Sequence, residues 1–217
     1  NNSVQCILQD KAGILWIGTN GGLNRYDRSL SIQYSILSQP ALTNSTVTAL
    51  MEDEQGCIWI GTENGLNILN PQTNTIKQFY HQDTVPNSLP PGPIRAIQKM
   101  KNGNTWIVSE RWIAEFTGTK QQPILIDSVL LTVDMVFQGV AEHSDHEIWI
   151  YYLDQPTTLA SRRALRGTAD MVNRPILYLP EYDYSKIYVD KENTTWGISN
   201  YGISRFNQQQ KKFDSWI

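Results

Sequence analysis

The chain has 217 residues, of which 40% are hydrophobic, and its 18 basic and 21 acidic residues give a net charge of -3 at pH 7. This composition supports a substantial buried core, and the charge balance argues against nucleic acid as a partner. No run of about 18 apolar residues occurs, so we expect no membrane span within the chain. Its two cysteines are too few for a disulfide framework.

The N-terminal stretch predicts four short β-strands, here called A to D. Strand A is Val4–Gln9, and Asp10–Gly13 forms the turn after it. Strand B carries Trp16 and ends at Asn20–Gly22, where Gly and Asn tolerate positive φ in a tight hairpin. Strand C is LNRYD, with alternating apolar residues, and strand D is Ile32–Leu37. A connection rich in Pro, Asn and Ser then leads to the next strand A.

The same pattern recurs along the whole chain. Each copy is centred on a tryptophan in strand B, and the tryptophans are 43 or 47 residues apart. Such a constant period indicates an array of equivalent supersecondary units. The five tryptophans are Trp16, Trp59, Trp106, Trp149 and Trp196.

Units of four antiparallel strands and this length are typical of β-propeller blades. We therefore predict an all-β fold, a single β-propeller with its A strands nearest the axis and a tryptophan packed between neighbouring blades. Because the chain has no initiator Met, we interpret it as part of a larger propeller, for example a seven-bladed one. The predicted blades are 1–43, 44–90, 91–133, 134–180 and 181–217.

The candidate binding surface is the face formed by the B–C turns and the D–A connections, which we call the B–C face. Its aromatic, amide and charged side chains suit a sugar, which stacks on a ring and hydrogen-bonds at its edge. An ordinary turn surface is the alternative, and for Trp112, which replaces a turn glycine, so is core filling. The predicted ligand-binding residues are Glu110, Arg111, Trp112, Tyr152, Asp154, Asn200 and Tyr201, and Asn20 and Glu63 lie at the same turn positions.

The sequence predicts no catalytic residue, metal site or cofactor. His143 and His146 form a His pair without a nearby third ligand. The aspartates of the A–B turns, Asp10 and its counterparts, are interpreted as acceptors for backbone N–H groups and not as calcium ligands. An enzyme remains an alternative, because carboxylates from separate blades can meet at the axis without leaving a linear motif. The first acids to inspect are Glu63, Glu110 and Asp154.

The repeat V-x-x-[IL]-x-x-D-x-x-G-x-[IL]-W-[IL]-G-T-x-x-G resembles the two-component regulator propeller repeat. It is nearly complete in Val4–Tyr26 and Val47–Leu69. The third copy has Met100 in place of the aspartate and Arg111-Trp112 where glycine is usual. The fourth copy has lost the Asp-x-x-Gly turn. The resemblance covers almost the whole chain.

This resemblance implies the extracytoplasmic part of a sensor of Bacteroides-type bacteria. Such a sensor has a periplasmic region, an inner-membrane helix that is absent here, and a histidine kinase elsewhere in the full-length protein. The implied function is detection of an oligosaccharide, without catalysis by this segment, and control of polysaccharide-utilisation genes. The implied full-length receptor is a homodimer. The alternatives are a propeller-fold glycoside hydrolase or lyase and a non-catalytic protein-interaction scaffold.

Overall fold

The structure is a computed structural model in which every regular element of the described residues is a β-strand. No helix in this part of the chain has the length and apolar character of a membrane span. The chain divides into two compact units, Asn1–Lys99 with Asn104–Leu131, and Met100–Gly103 with Thr132–Ile217. The structure describes the backbone of residues 3–28, 30–85, 88–100, 103–109, 112–117, 124–130, 136–144, 147–153, 155–161, 177–179, 184–199, 202–207, 209–210 and 212–215. It describes the side chains of residues 3–28, 30–85, 88–100, 103–109, 112–116, 140–141, 186–199, 202–207, 209–210 and 212–214.

Three four-stranded antiparallel sheets belong to the first unit, and each follows the chain order from A to D. The first is β1 (Val4–Gln9), β2 (Leu15–Thr19), β3 (Gly22–Asp27) and β4 (Leu30–Tyr34). The second is β5 (Val47–Glu52), β6 (Ile58–Thr62), β7 (Leu66–Asn70) and β8 (Thr75–Phe79). The third is β9 (Ala96–Lys99), β10 (Thr105–Val108), β11 (Trp112–Thr117) and β12 (Ile124–Leu130).

The second unit holds two more sheets of the same kind, so the described strands form five blades, as the sequence predicts. Within each unit the A strand of one blade packs against the A strand of the next: β1 meets β5, and β5 meets β9. The first sheet of the second unit is β13 (Val136–Ser144), β14 (Glu147–Leu153), β15 (Gln155–Ser161) and β16 (Leu177–Leu179). Its second sheet is β17 (Tyr184–Val189), β18 (Thr195–Ser199), β19 (Gly202–Asn207) and β20 (Lys212–Ser215).

The aspartate of each intact A–B turn forms a compact hydrogen-bond centre. In blade 2, Asp53 Oδ1 accepts from the backbone N–H groups of Gln55 and Cys57, at 2.9 Å each. Its Oδ2 accepts from the indole Nε1 of Trp59 at 3.1 Å. The predicted role as acceptor for backbone N–H groups is therefore confirmed, and the carboxylate also anchors the tryptophan of the following strand.

The same aspartate–tryptophan pair recurs in blades 1 and 5. Trp16 Nε1 donates to Asp10 Oδ2 and Trp196 Nε1 donates to Asp190 Oδ2, both at 2.8 Å. The indole hydrogen bond of Trp196, together with backbone N–H donors, lowers the pKa of Asp190. This conserved geometry explains why the aspartate and the tryptophan keep a fixed spacing of six residues in these copies.

Trp16 and Trp59 are buried where consecutive blades pack together. Trp16 belongs to an apolar cluster that joins Leu23 of blade 1 to Val47 and Ile60 of blade 2. Trp59 belongs to a second cluster, which joins blade 2 to blade 3. The prediction that the repeated tryptophan fills inter-blade space is confirmed for these two residues.

The glycine of the W-[IL]-G-T segment is required by the next blade. A Cβ added at Gly61 would lie 2.6 Å from Ile94 Cγ2 and 3.0 Å from Ile94 Cβ. Gly18 has the same relation to Val47 at the junction before it, with a Cβ 2.7 Å from Val47 Cγ1. Strand B can therefore approach the neighbouring A strand only because this position has no side chain.

Blade 3 lacks the turn aspartate, since Met100 occupies that register position. Trp106 is fully buried, and its Nε1 has no hydrogen-bond partner within the described part of the chain. A buried donor without an acceptor costs about 1–3 kcal/mol. Within the described residues, the tryptophan of blade 3 therefore lacks the hydrogen bond that anchors Trp16 and Trp59.

We expect Trp106→Phe to be about 1–2 kcal/mol less destabilising than Trp59→Phe. Both substitutions remove one pyrrole ring from a buried site. Only Trp59→Phe also breaks a hydrogen bond, the one to Asp53, whereas Trp106→Phe removes a donor that has no partner among the described residues. Chemical denaturation of the two variants measures the difference, and equal losses would contradict this explanation.

Candidate functional site

The B–C turns are built by a threonine and a glycine in the G-T-x-x-G segment. In blade 2, Thr62 Oγ1 donates to the carbonyl of Gly65 at 2.8 Å and accepts from the N–H of Asn64. Gly65 has φ of 100°, and an added Cβ would lie 2.8 Å from the carbonyl oxygen of Phe79. The glycine is thus required by its backbone conformation and by the close approach of strand D. The turn residues between Thr62 and Gly65 are left free to vary.

Trp112 replaces this glycine in blade 3 and is part of the core. Its side chain is only 3% exposed and belongs to the cluster between blades 2 and 3. Its Nε1 donates to the carbonyl of Pro91 in the D–A connection. This burial favours core filling, the alternative left open by the sequence. A role of Trp112 in ligand stacking stays a prediction.

The other predicted ligand-binding residues remain predictions. Tyr152 is in β14, where its backbone pairs with Phe137 and Gln155, but its side chain lies outside the described residues. The remaining predicted residues, Glu110, Arg111, Asp154, Asn200 and Tyr201, also lie outside the described residues. The histidine pair 143 and 146 has no described side chains either. Among the described side chains, no three His, Cys, Asp or Glu groups are clustered as metal ligands would be.

Two described B–C turn residues are engaged with their neighbours. Glu63 Oε1 accepts from Arg95 Nη1 at 2.6 Å, which links the turn of blade 2 to the start of blade 3. Asn20 Oδ1 accepts from Gln5 Nε2 at 2.9 Å. The Glu63 carboxylate is partly exposed, so this ion pair contributes at most about 1 kcal/mol to stability. Its main effect is to fix the position of a charged group on the B–C face.

A cleft of about 190 Å3 opens on the B–C face of blade 2. It lies where strand β8 ends at Phe79 and the D–A connection begins, beside Leu66, which follows the B–C turn and pairs with Phe79. Buried apolar residues line part of it, and tyrosine, glutamine and serine side chains contribute the polar groups. The lining residues are Leu66, Gln78, Phe79, Tyr80, Gln82, Val85, Ser88, Leu89 and Phe116.

The wall of the cleft is a loop that is held by its own hydrogen bonds. Ser88 Oγ accepts from the N–H of Gln82 at 3.1 Å and donates to its carbonyl oxygen at 3.0 Å. His81 closes the loop with Nδ1 2.9 Å from the carbonyl oxygen of Leu89, while its Nε2 is 2.8 Å from Asp83 Oδ1. Both ring nitrogens of His81 therefore face acceptors.

Because both nitrogens can donate only when the imidazole is protonated, the carbonyl of Leu89 and the carboxylate of Asp83 raise the pKa of His81. The stabilisation of the loop is present below the unfolded-state pKa and is lost as the pH rises through the folded-state pKa. We expect an NMR titration of His81 to give a pKa above its usual value. Asp83→Asn should lower it, and an unshifted His81 would contradict the two hydrogen bonds.

The cleft lies on the B–C face, but its lining residues are not among those predicted from the sequence. The sequence predicts only a connection for the stretch from His81 to Pro93. The available signal was the aromatic pair Phe79-Tyr80 at the exit of strand D, directly before a long connection on the candidate face. A loop of this length without regular structure is a common place for a binding site.

The fold defines the class of protein: consecutive four-stranded antiparallel blades, packed through their A strands, are those of a β-propeller. Residues 1–21 and 41–64 match the family described as two component regulator propeller. Blades 1 and 2 therefore carry two component regulator propeller repeats, which confirms the family named from the sequence motif. The matched residues are about a fifth of the chain.

Solved structures resemble the chain over almost its whole length. The extracellular domain of a Bacteroides thetaiotaomicron protein described as a hybrid two component system has a TM-score of 0.73 at 23% identity, covering 99% of this chain and 30% of that one. PorZ, a surface component of the type-IX secretion system of Porphyromonas gingivalis, has a TM-score of 0.65 at 17% identity, covering 99% and 33%. This chain thus spans about a third of either structure.

A β-propeller outside these bacteria shows the same fold. The β-propeller domain of Swd1 from Myceliophteria thermophila has a TM-score of 0.59 at 13% identity, covering 88% of this chain and 64% of that one. Comparison with curated proteins finds no match. At these identities the likeness to solved structures establishes the propeller fold alone.

Proposed function

We propose that this chain is an extracytoplasmic ligand-sensing propeller of a two-component signalling protein, and that its ligand is an oligosaccharide. The observation that carries the proposal is the pair of two component regulator propeller repeats in blades 1 and 2. The likeness to the extracellular domain of a hybrid two component system supports it. The histidine kinase and the membrane helix of such a sensor would lie elsewhere in the full-length protein.

The proposed ligand surface is the B–C face, because its turn residues vary between blades, although blades 1 and 2 share the same threonine–glycine hydrogen bond. Glu63 and Arg95 supply fixed charges there, and the cleft beside Tyr80 supplies an aromatic ring and amide groups. Such a combination of rings and hydrogen-bonding groups suits a sugar. The proposed location is the periplasm, and the proposed receptor is a homodimer.

Binding and turnover of mixed oligosaccharides separate this function from its alternatives. The chain is titrated calorimetrically with each oligosaccharide, and the same sample is then assayed for new reducing ends. We expect heat of binding and an unchanged oligosaccharide. New reducing ends would indicate a propeller glycosidase or lyase, and the absence of any binding would favour a protein-interaction scaffold. Light scattering of the full-length ectodomain tests the proposed homodimer.

A further inference from the structure

We propose that the cleft bounded by strand β8, residues 80–85, Ser88, Leu89 and Phe116 is a subsite for one ring of an uncharged oligosaccharide. This inference rests on the proposed function, since it specifies where and in what chemical form the sensed ligand binds. Three features of the cleft carry it: its size, its prearranged tyrosine and its lack of charge.

The size and floor of the cleft suit a single sugar ring. Its volume of about 190 Å3 is below the range of about 300–1,000 Å3 that is usual for drug-sized ligands. Leu66, Leu89 and Phe116 are buried, so their side chains form a rigid apolar floor. A longer oligosaccharide would therefore place one ring in the cleft and extend over the turns of the B–C face.

Tyr80 is held in position at the edge of the cleft. Its hydroxyl donates to Gln78 Oε1 at 3.2 Å, and Gln78 Nε2 donates to the carbonyl of Ala41 at 2.9 Å. The tyrosine is 38% exposed, so its ring remains accessible to a ligand. A ring that is already oriented loses little conformational freedom when a sugar stacks on it. Tyr80 thus has the properties of a stacking platform that Trp112 lacks.

The polar groups of the cleft favour hydroxyl groups over anionic groups. Among the described lining residues there is no Lys, Arg, His, Asp or Glu, so none of these residues offers a countercharge to a carboxylate or sulfate. The side-chain amide of Gln82 makes no hydrogen bond within the described residues, and it offers both a donor and an acceptor. His81 and Asp83 are bonded to each other beside the lining. The cleft therefore matches neutral sugar hydroxyls.

The test compares two partly exposed tyrosines of the same chain. Tyr80→Ala removes the proposed platform, whereas Tyr26→Ala removes a ring that lies near the C–D turn on the opposite face and bonds to the carbonyl of Arg28. Both variants and wild type are titrated with neutral xylo-, manno- and gluco-oligosaccharides and with acidic oligogalacturonates, by ligand-observed NMR and calorimetry. Gln82→Ala is a second probe that leaves the apolar floor intact.

We expect a neutral oligosaccharide to bind wild type and Tyr26→Ala equally, and Tyr80→Ala at least about fivefold more weakly. Gln82→Ala should also weaken binding. Equal affinity in wild type, Tyr80→Ala and Gln82→Ala would overturn the cleft as the subsite and leave the proposed function standing. Binding of acidic oligosaccharides alone would overturn the neutral class. Failure of every oligosaccharide to bind wild type would overturn the proposed function and, with it, this inference.

Discussion

Trp59→Ala is expected to lower the free energy of unfolding by about 3–5 kcal/mol, the usual range for removal of a large buried aromatic. Trp59 belongs to the cluster that joins blades 2 and 3. Its loss leaves a cavity between two sheets and also removes the donor that Asp53 Oδ2 accepts. Chemical denaturation followed by circular dichroism measures the change.

Tyr26→Ala is the matched control for the loss of an aromatic ring. Tyr26 is exposed, so its replacement should change stability by less than about 0.5 kcal/mol. If Trp59→Ala were no more destabilising than this control, the repeated tryptophan would not be the inter-blade core. The order of the two variants therefore tests the main structural explanation of the 43- to 47-residue repeat.

Asp53→Ala is expected to lower stability by about 3 kcal/mol, although it removes only one small side chain. The substitution leaves the N–H groups of Gln55 and Cys57 and the indole Nε1 of Trp59 without their acceptor. Each buried donor that loses its partner costs about 1–3 kcal/mol, and the three effects overlap because they share one hairpin. Thermal unfolding of the variant measures the loss.

The neighbouring Glu54 provides the control for a lost carboxylate in the same turn. It is exposed and forms no hydrogen bond within the described residues, so Glu54→Ala should change stability by less than about 0.5 kcal/mol. Equal losses for the two variants would show that net charge, and not the hydrogen-bond centre at Asp53, determines the stability of the turn.

The fold could be predicted from the sequence because its rules are local and repeated. The turn at Asp10–Gly13, the glycine at the end of strand B and the alternating strand C each follow from short-range backbone preferences. Their recurrence with each tryptophan then specifies the blade. The Asp53–Trp59 hydrogen bond was not predicted, because a constant spacing does not reveal which side-chain atoms meet.

The site was harder to predict because it depends on packing between segments far apart in the chain. Trp112 departs from the repeat, which made it a candidate for ligand stacking. Its indole donates to the carbonyl of Pro91 in the D–A connection, and no local pattern contains that contact. The cleft is likewise formed by residues from strand β8, from the connection and from blade 3. The position of Tyr80 at the edge of the cleft follows only from the packing of these segments, although the Phe79-Tyr80 pair is visible in the sequence.

Hydrogen–deuterium exchange with and without a bound oligosaccharide tests most directly the claim that the B–C face is the sensing surface. We expect slower exchange in residues 62–65 and 80–89, with no change in residues 53–57 and 70–75 at the turns of the opposite face. Protection confined to 53–57 and 70–75, with 62–65 and 80–89 unchanged, would contradict it.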